Sequence, residues 1–182
     1  MIRTIIPTSA ITDKLQTTGG WLMFAFPVET QESGQSLVFE QFISAEPTVD
    51  DIASFKECCL NSIKGELIDK VTKYDVSDNV NAFYLNGHVA WLDKNTRVGL
   101  VNSVNMRIKN GDETITLWLA DQSFTLPCET ALNLLEGLEL YAMDCYNKTA
   151  EHKANILHET DIYSLFEYDY TAGYPEKLNI NI

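Results

Sequence analysis

One order of elements occurs twice between residues 83 and 156, and this repeat constrains the fold more than any other feature. In the first copy, an Asn-Gly turn divides two β-prone runs within residues 83–92, which indicates a hairpin, and Asp93 is placed to cap a helix. In the second copy, residues 114–126 indicate another hairpin, and Pro127 sets φ for the first turn of a long helix. The region therefore predicts an α+β fold of antiparallel β-hairpins, each followed by a helix, with a long C-terminal helix.

Upstream of this region, residues 21–28 and 36–44 are rich in aromatic and β-branched residues, which indicates a further hairpin around the polar loop 29–35. The second of these segments alternates in hydrophobicity, as a half-buried strand does. The first 20 residues leave two alternatives: an edge strand followed by a loop, or an arm that becomes ordered on a partner.

Two helices are predicted to pack through a single apolar stripe each. Thr48 is placed as the N-cap of the first, and the turn-rich stretch after Tyr74 ends it. Its stripe consists of Ile52, Phe55, Cys59, Ile63, Leu67 and Val71. The stripe of the helix after Asp93 consists of Val98, Val101, Val104 and Ile108, and Gly111 is its expected stop.

The last long helix, residues 128–158, has the 3.5-residue period of a coiled-coil seam. The seam consists of Ala131, Leu135, Leu138, Ala142, Cys145, Thr149, His152 and Ile156. Two alternatives follow from this pattern. Either the first half of the helix covers the sheet and the second half projects, or the helix packs against copies of itself or another subunit.

The tail, residues 161–175, concentrates four tyrosines and one phenylalanine in a short acidic stretch. Tyrosine combines a large rigid surface with a hydroxyl group, which suits interfaces. The alternative is a tail that folds back over the protein's own core, and residues 177–182 alternate like a last strand added to a sheet edge in this chain or in a neighbour. The interface candidates are Trp21, Phe24, Phe26, Tyr163, Phe166, Tyr168, Tyr170 and Tyr174.

The formal net charge of -13 opposes binding to phosphate backbones and to anionic lipid. Nucleic acid and membrane are therefore not expected partners. No apolar run reaches the roughly 20 residues needed to span a bilayer, and the N-terminal residues do not form a signal peptide. The four cysteines form no CxxC pair, and we interpret them as small buried hydrophobes in a reducing compartment.

The sequence carries no recognisable pattern of catalytic, metal-binding or cofactor-binding residues. Cys145 and His152 lie on one helix face but about 10 Å apart along the axis, too far for a shared hydrogen bond. No HxxxH or HExxH pattern links the three histidines, and no glycine-rich phosphate loop is present. We therefore predict no catalytic residues, no metal and no cofactor.

The region from about Phe55 to Ile156 resembles an uncharacterised domain-of-unknown-function family of bacteriophages and prophages, often encoded among tail, baseplate and tail-fibre genes. The matching stretches are residues 58–61, 83–87, 91–93 with Arg97 and Leu100, 116–118, 124–126 and 152–156. The order and spacing of these stretches carry the resemblance, which covers a little over half of the chain.

The resemblance implies a non-enzymatic phage or prophage protein that binds other tail or virion subunits, made in the bacterial host cytoplasm and located in the virion. A homo-oligomer is compatible with this role. Two other functions compete: an assembly chaperone absent from the finished particle, and third, a tail-associated enzyme. The expected division is an N-terminal β segment (1–46) acting as adaptor or partner-binding arm, an α+β core (47–160) and a Tyr-rich tail (161–182).

Overall fold

The structure, a computed structural model, describes residues 2–29, 34–119 and 122–182. It confirms the α+β class, with antiparallel sheets and a long helix near the C-terminus. The elements are β1 (Ile2–Pro7), a short 3-10 helix (Thr8–Ala10), β2 (Lys14–Thr17), β3 (Gly20–Glu29), β4 (Gln35–Ile43), α1 (Val49–Asp75), β5 (Phe83–Leu85), β6 (His88–Ala90), α2 (Lys94–Lys109), β7 (Thr114–Leu119), β8 (Gln122–Pro127), α3 (Cys128–His158), α4 (Ile162–Phe166) and β9 (Asn179–Ile180).

The chain divides into two compact units. Unit 1 contains the chain up to residue 68 together with residues 155–168, and unit 2 contains residues 69–154 and 169–182. The divisions fall inside α1 and α3, whereas the sequence suggested divisions at residues 46 and 160. The difference arises because each of these long helices contributes residues to both units.

Unit 1 is built on a four-stranded antiparallel sheet with the strand order β1-β4-β3-β2. The first 20 residues supply both edge strands, so they form part of this chain's own sheet. A bulge interrupts β3 between Ala25 and Val28, and Phe26 within it has a positive φ of 54°. The predicted loop between β3 and β4 lies largely outside the described residues.

Helix α1 covers one face of this sheet. Arg3 and Phe39 are cross-strand neighbours on that face, and the Arg3 guanidinium lies 5.0 Å from the centre of the Phe39 ring. Arg3 also donates to Glu66 of α1 at 2.7 Å. The predicted stripe of α1 is confirmed, since Phe55, Cys59, Ile63, Leu67 and Val71 are buried.

The N-terminus of α1 is a reciprocal cap of the predicted kind. The Thr48 hydroxyl accepts from the Asp51 amide at 3.2 Å, and the Asp51 carboxylate accepts from the Thr48 amide at 2.8 Å. Asp93 caps α2 by accepting from the amide of Thr96 at 3.0 Å.

Unit 2 contains two small sheets. The order of the first is β6-β5-β9, and the second is the hairpin β7-β8. Asn86 and Gly87 have φ values of 50° and 80°, as a type I′ turn between β5 and β6 requires. The last strand, β9, joins the edge of this chain's own sheet by pairing with β5 in parallel, whereas the hairpins are antiparallel.

Helix α3 buries its seam along its whole length. Seven of the eight seam positions are buried and Ala142 is partly buried. The second half of α3 therefore does not project, because Thr149 and His152 in unit 2 contact the tail of the same chain.

Two smaller expectations are also corrected. Val104 is the fully buried member of the α2 stripe, whereas Val98 is 46% and Ile108 38% exposed, because the ends of α2 extend past the core. Cys59, Cys128 and Cys145 are buried, but Cys58 is exposed, since it lies next to the buried stripe of α1 and not on it.

Four aspartates make stability depend on pH in the acidic range. Hydrogen bonds from Thr48, Thr96, Ser164 and Thr171 lower the pKa values of Asp51, Asp93, Asp161 and Asp169, respectively. A lowered native pKa stabilises the fold above the unfolded value of about 3.9, and this stabilisation is lost as the pH falls through the native values.

We expect the melting temperature to fall between about pH 5 and about pH 2, and to fall less steeply in a variant with Asp→Asn at all four positions. Asparagine keeps the capping geometry and does not titrate, so it is the matched substitution. Calorimetry across this range checks the prediction, and identical slopes for the two proteins would contradict it.

Candidate protein-interaction surfaces

Two tyrosines of the tail pack onto unit 2 of their own chain. The ring centres of Tyr170 and Tyr174 lie 5.9 and 5.5 Å from that of Tyr74, near the end of α1. The Tyr174 ring also lies 5.5 Å from the ring of His152 on α3. For Tyr170 and Tyr174, the structure agrees with the alternative in which the tail folds back over the protein's own core.

A chain of hydrogen bonds holds this part of the tail. The Thr149 hydroxyl donates to the Asp75 carboxylate at 2.7 Å, and it lies 2.9 Å from the Tyr174 hydroxyl. Because the Thr149 proton is directed at Asp75, the Tyr174 hydroxyl is the donor in this second bond. Burial raises the pKa of the Tyr174 phenol, which keeps the donor protonated.

His152 makes the second polar contact to the tail. Its Nε2 lies 2.9 Å from the carbonyl oxygen of Ala172, and since a carbonyl only accepts, Nε2 carries the proton. The contact satisfies a buried imidazole, which would otherwise cost free energy on burial. Sequence reasoning placed His152 in the seam of the helix but gave no signal for this partner.

The other three tail candidates lie in unit 1, and two of them are exposed. Tyr163 and Phe166, on α4, are 50% and 38% exposed. The Tyr163 hydroxyl donates to the Pro27 carbonyl at 2.8 Å, which orients the ring. Tyr168 is partly buried.

The N-terminal aromatic candidates are less exposed than expected. Phe24 lies on β3, between β2 and β4 in the sheet order, and is only 5% exposed. Burying an aromatic ring removes apolar surface from water, so Phe24 belongs to the core and its assignment as an interface candidate is corrected. Trp21 is partly buried, with the Lys14 ammonium 5.5 Å from the ring centre. Phe26 is partly buried at the bulge.

The largest exposed aromatic surfaces are in unit 2, and the predicted candidates did not include them. Trp118 on β7 is 69% exposed, Tyr146 on α3 is 67% exposed and Trp91 after β6 is 55% exposed. The signal for Trp118 was present in the sequence, because the buried Leu117 and Leu119 alternate with it. Tryptophan and tyrosine are enriched at protein–protein interfaces relative to the rest of a protein surface.

A second apolar surface lies on the sheet of unit 1. Leu15, Leu22 and Phe42 are direct cross-strand neighbours on β2, β3 and β4, so they form a row on one face. Phe42 is 55% exposed and its ring packs against Gly20, where an added Cβ would lie 2.7 Å from the ring. Because Gly20 has no Cβ, it leaves the space that the Phe42 ring occupies on the sheet.

Unit 2 also contains a cleft of about 390 Å³ with both charges and apolar side chains. Arg97 pairs with Glu139 at 2.7 Å and donates to the Leu92 carbonyl at 2.6 Å, and its side chain is only 12% exposed. Met143 and Tyr146 line the same cleft. The arrangement offers an orienting ion pair beside an apolar wall, as a binding site for a mixed polar and apolar group does.

Among the described residues, no group of three or more His, Cys, Asp or Glu side chains is arranged to hold a metal ion. In the same residues, none of the helices combines the length and the apolar character needed to cross a bilayer.

Comparison with family models, with curated proteins and with solved structures found no match for this chain. The resemblance to the phage family therefore stays a prediction from the sequence.

The hydrogen bond of the Tyr174 hydroxyl should stabilise the folded tail. We expect Tyr174→Phe to lower the free energy of unfolding by about 1 kcal/mol, because Thr149 loses its donor in a half-buried site. Tyr170→Phe is the matched control, since it removes a hydroxyl and keeps the T-shaped contact between the rings at positions 170 and 74. Denaturant titration of both variants checks the prediction, and equal losses would contradict it.

Proposed function

We propose that this protein is a non-enzymatic structural or interaction protein of a phage or prophage, a tail, baseplate or tail-fibre component that binds other virion subunits. The exposure of Trp118, Tyr146 and Trp91 carries the proposal. The order of two hairpins, each followed by a helix, supports it through the resemblance to the phage family.

The exposed rings are large enough to supply useful affinity. Covering the exposed part of one tryptophan at about 25 cal/mol per Å² contributes about 2 to 4 kcal/mol before the costs of association. Several such rings approach the hot-spot energies that hold subunits together. Exposed rings are unfavourable in water, and assembly removes this unfavourable term when a partner subunit covers the rings.

The net charge of -13 fits the same role. Mutual repulsion keeps free copies apart before assembly and favours partners with basic surfaces. In this proposal the chain is made in the cytoplasm of the bacterial host and resides in the virion afterwards.

An assembly chaperone that leaves before the particle is complete is the second candidate. Exposed aromatic surfaces favour it equally, because a chaperone also covers apolar surface of its client. A tail-associated enzyme is the third, and the charged cleft beside Arg97 and Glu139 is the place where its substrate would bind.

Mass spectrometry of purified particles tests the proposal against these alternatives. We expect the chain at a fixed stoichiometry to the major tail proteins in particles from a host that carries the gene. Its absence from finished particles, together with its presence in assembly intermediates, would contradict a structural role and favour the chaperone.

Variants test whether the exposed rings make the contact. We expect Trp91→Ser with Trp118→Ser to leave the melting temperature nearly unchanged and to reduce incorporation into particles by at least about tenfold. Val76→Ser is the matched control, because Val76 is 75% exposed on the turn after α1. Equal incorporation of the tryptophan variant and the control would contradict the assignment of the surface.

A further inference from the structure

Among the described residues, no strand pairs with the outer edge of β9. The carbonyls of Leu178 and Ile180 accept from the amides of Tyr84 and Asn86 on the β5 side, both at 2.8 Å. Because alternate residues of a strand direct their backbone groups to opposite edges, the amides and carbonyls of Asn179 and Asn181 face away from β5.

These outward groups are available for pairing. Within the part of the chain that the structure describes, the backbone of Asn181 makes no hydrogen bond, and β9 pairs with β5 alone. An unpaired row of backbone groups is a template for one more strand.

A groove lies beside this strand. It has a volume of about 450 Å³ between residues 178–182 and one face of α3. The helix face consists of Thr130, Asn133, Leu134 and Gly137. A groove with a strand on one side and a helix on the other matches the site in which some domains bind an extended peptide as an added strand.

The residues that line the groove indicate which kind of peptide it can bind. None of the side chains that line the groove is charged, and Leu134 supplies an apolar wall. Glu129 and Glu136 are exposed and lie three or four residues from Asn133, which places them beside the groove on the helix surface. The groove is therefore uncharged with an acidic rim, so it favours an apolar strand flanked by basic residues.

We infer that the groove between β9 and α3 binds an extended peptide segment of a partner protein by β-strand addition, with uncharged residues inside the groove and Lys or Arg at its ends. A second copy of this chain fits less well, since two chains that each carry a net charge of -13 repel each other. The inference rests on the proposed function, because it specifies which kind of element a partner subunit contributes.

Gly137 provides a test that does not threaten the fold. A Cβ added at Gly137 would meet no atom within 4 Å, and leucine is a better helix former than glycine. Gly137→Leu should therefore fold and fill part of the groove. Gly99→Leu is the matched control, because Gly99 lies in α2 with equally open space around it.

The probe is a fluorescent synthetic heptapeptide that alternates valine and threonine between two terminal lysines. We expect it to bind the full chain, to bind Gly99→Leu equally well, and to bind Gly137→Leu at least about tenfold more weakly. Two altered peptides should also bind more weakly: one with terminal glutamates, and one with methylated backbone nitrogens, which cannot donate to a strand.

Amide hydrogen exchange locates the contact. We expect the peptide to slow exchange at Asn179 and Asn181 and to leave exchange at Val76, which is far from the groove in sequence and does not line it, unchanged. No binding to the full chain, equal binding of the methylated peptide or of Gly137→Leu, or protection of these amides by dimerisation without peptide would each overturn the inference. Because the assay uses no particles, peptide binding can fail while incorporation into particles succeeds, and the two proposals are tested separately.

Discussion

The buried face of α3 is the constraint on which the rest of the structure depends. The helix is 31 residues long and buries its seam from Ala131 to Ile156. Most of this seam is apolar, but Thr149 and His152 are 4% exposed, and a buried polar group without a partner costs several times what a hydrogen bond contributes. The fold must therefore place acceptors and donors over the second half of α3, and the tail and the end of α1 supply them.

The need to satisfy the buried polar groups of α3 determines which aromatic residues stay exposed. Tyr170 and Tyr174 are used inside unit 2, where Tyr174 completes the hydrogen bonds of Thr149. Trp118 and Trp91 belong to strands and strand ends whose other face packs on the core, so they face outward. Which aromatic rings stay exposed therefore depends on which ones are used to complete the core.

The two kinds of interaction surface act through different physical contacts. The exposed tryptophans offer apolar area, and burying it is strongly favourable but non-directional, so it does not require one particular partner. The free edge of β9 offers directed backbone hydrogen bonds, which require an extended segment and so specify conformation. Under the two proposals, the tryptophans would contribute most of the affinity and the strand edge would restrict the geometry of the complex. The acidic surface adds a preference for basic partners.

Local signals in the sequence were sufficient for the elements. The caps at Thr48 and Asp93, the Asn-Gly turn and the period of α3 act over a few residues, so the sequence alone predicted the α+β class, antiparallel strands and the long helix α3. Strand partners, the parallel pairing of β9, the burial of Phe24 and the place of Tyr174 were decided by the tertiary structure. Those outcomes depend on contacts between residues far apart in the chain. The period of a strand or helix predicts that one face is buried, but it does not predict which residues cover that face.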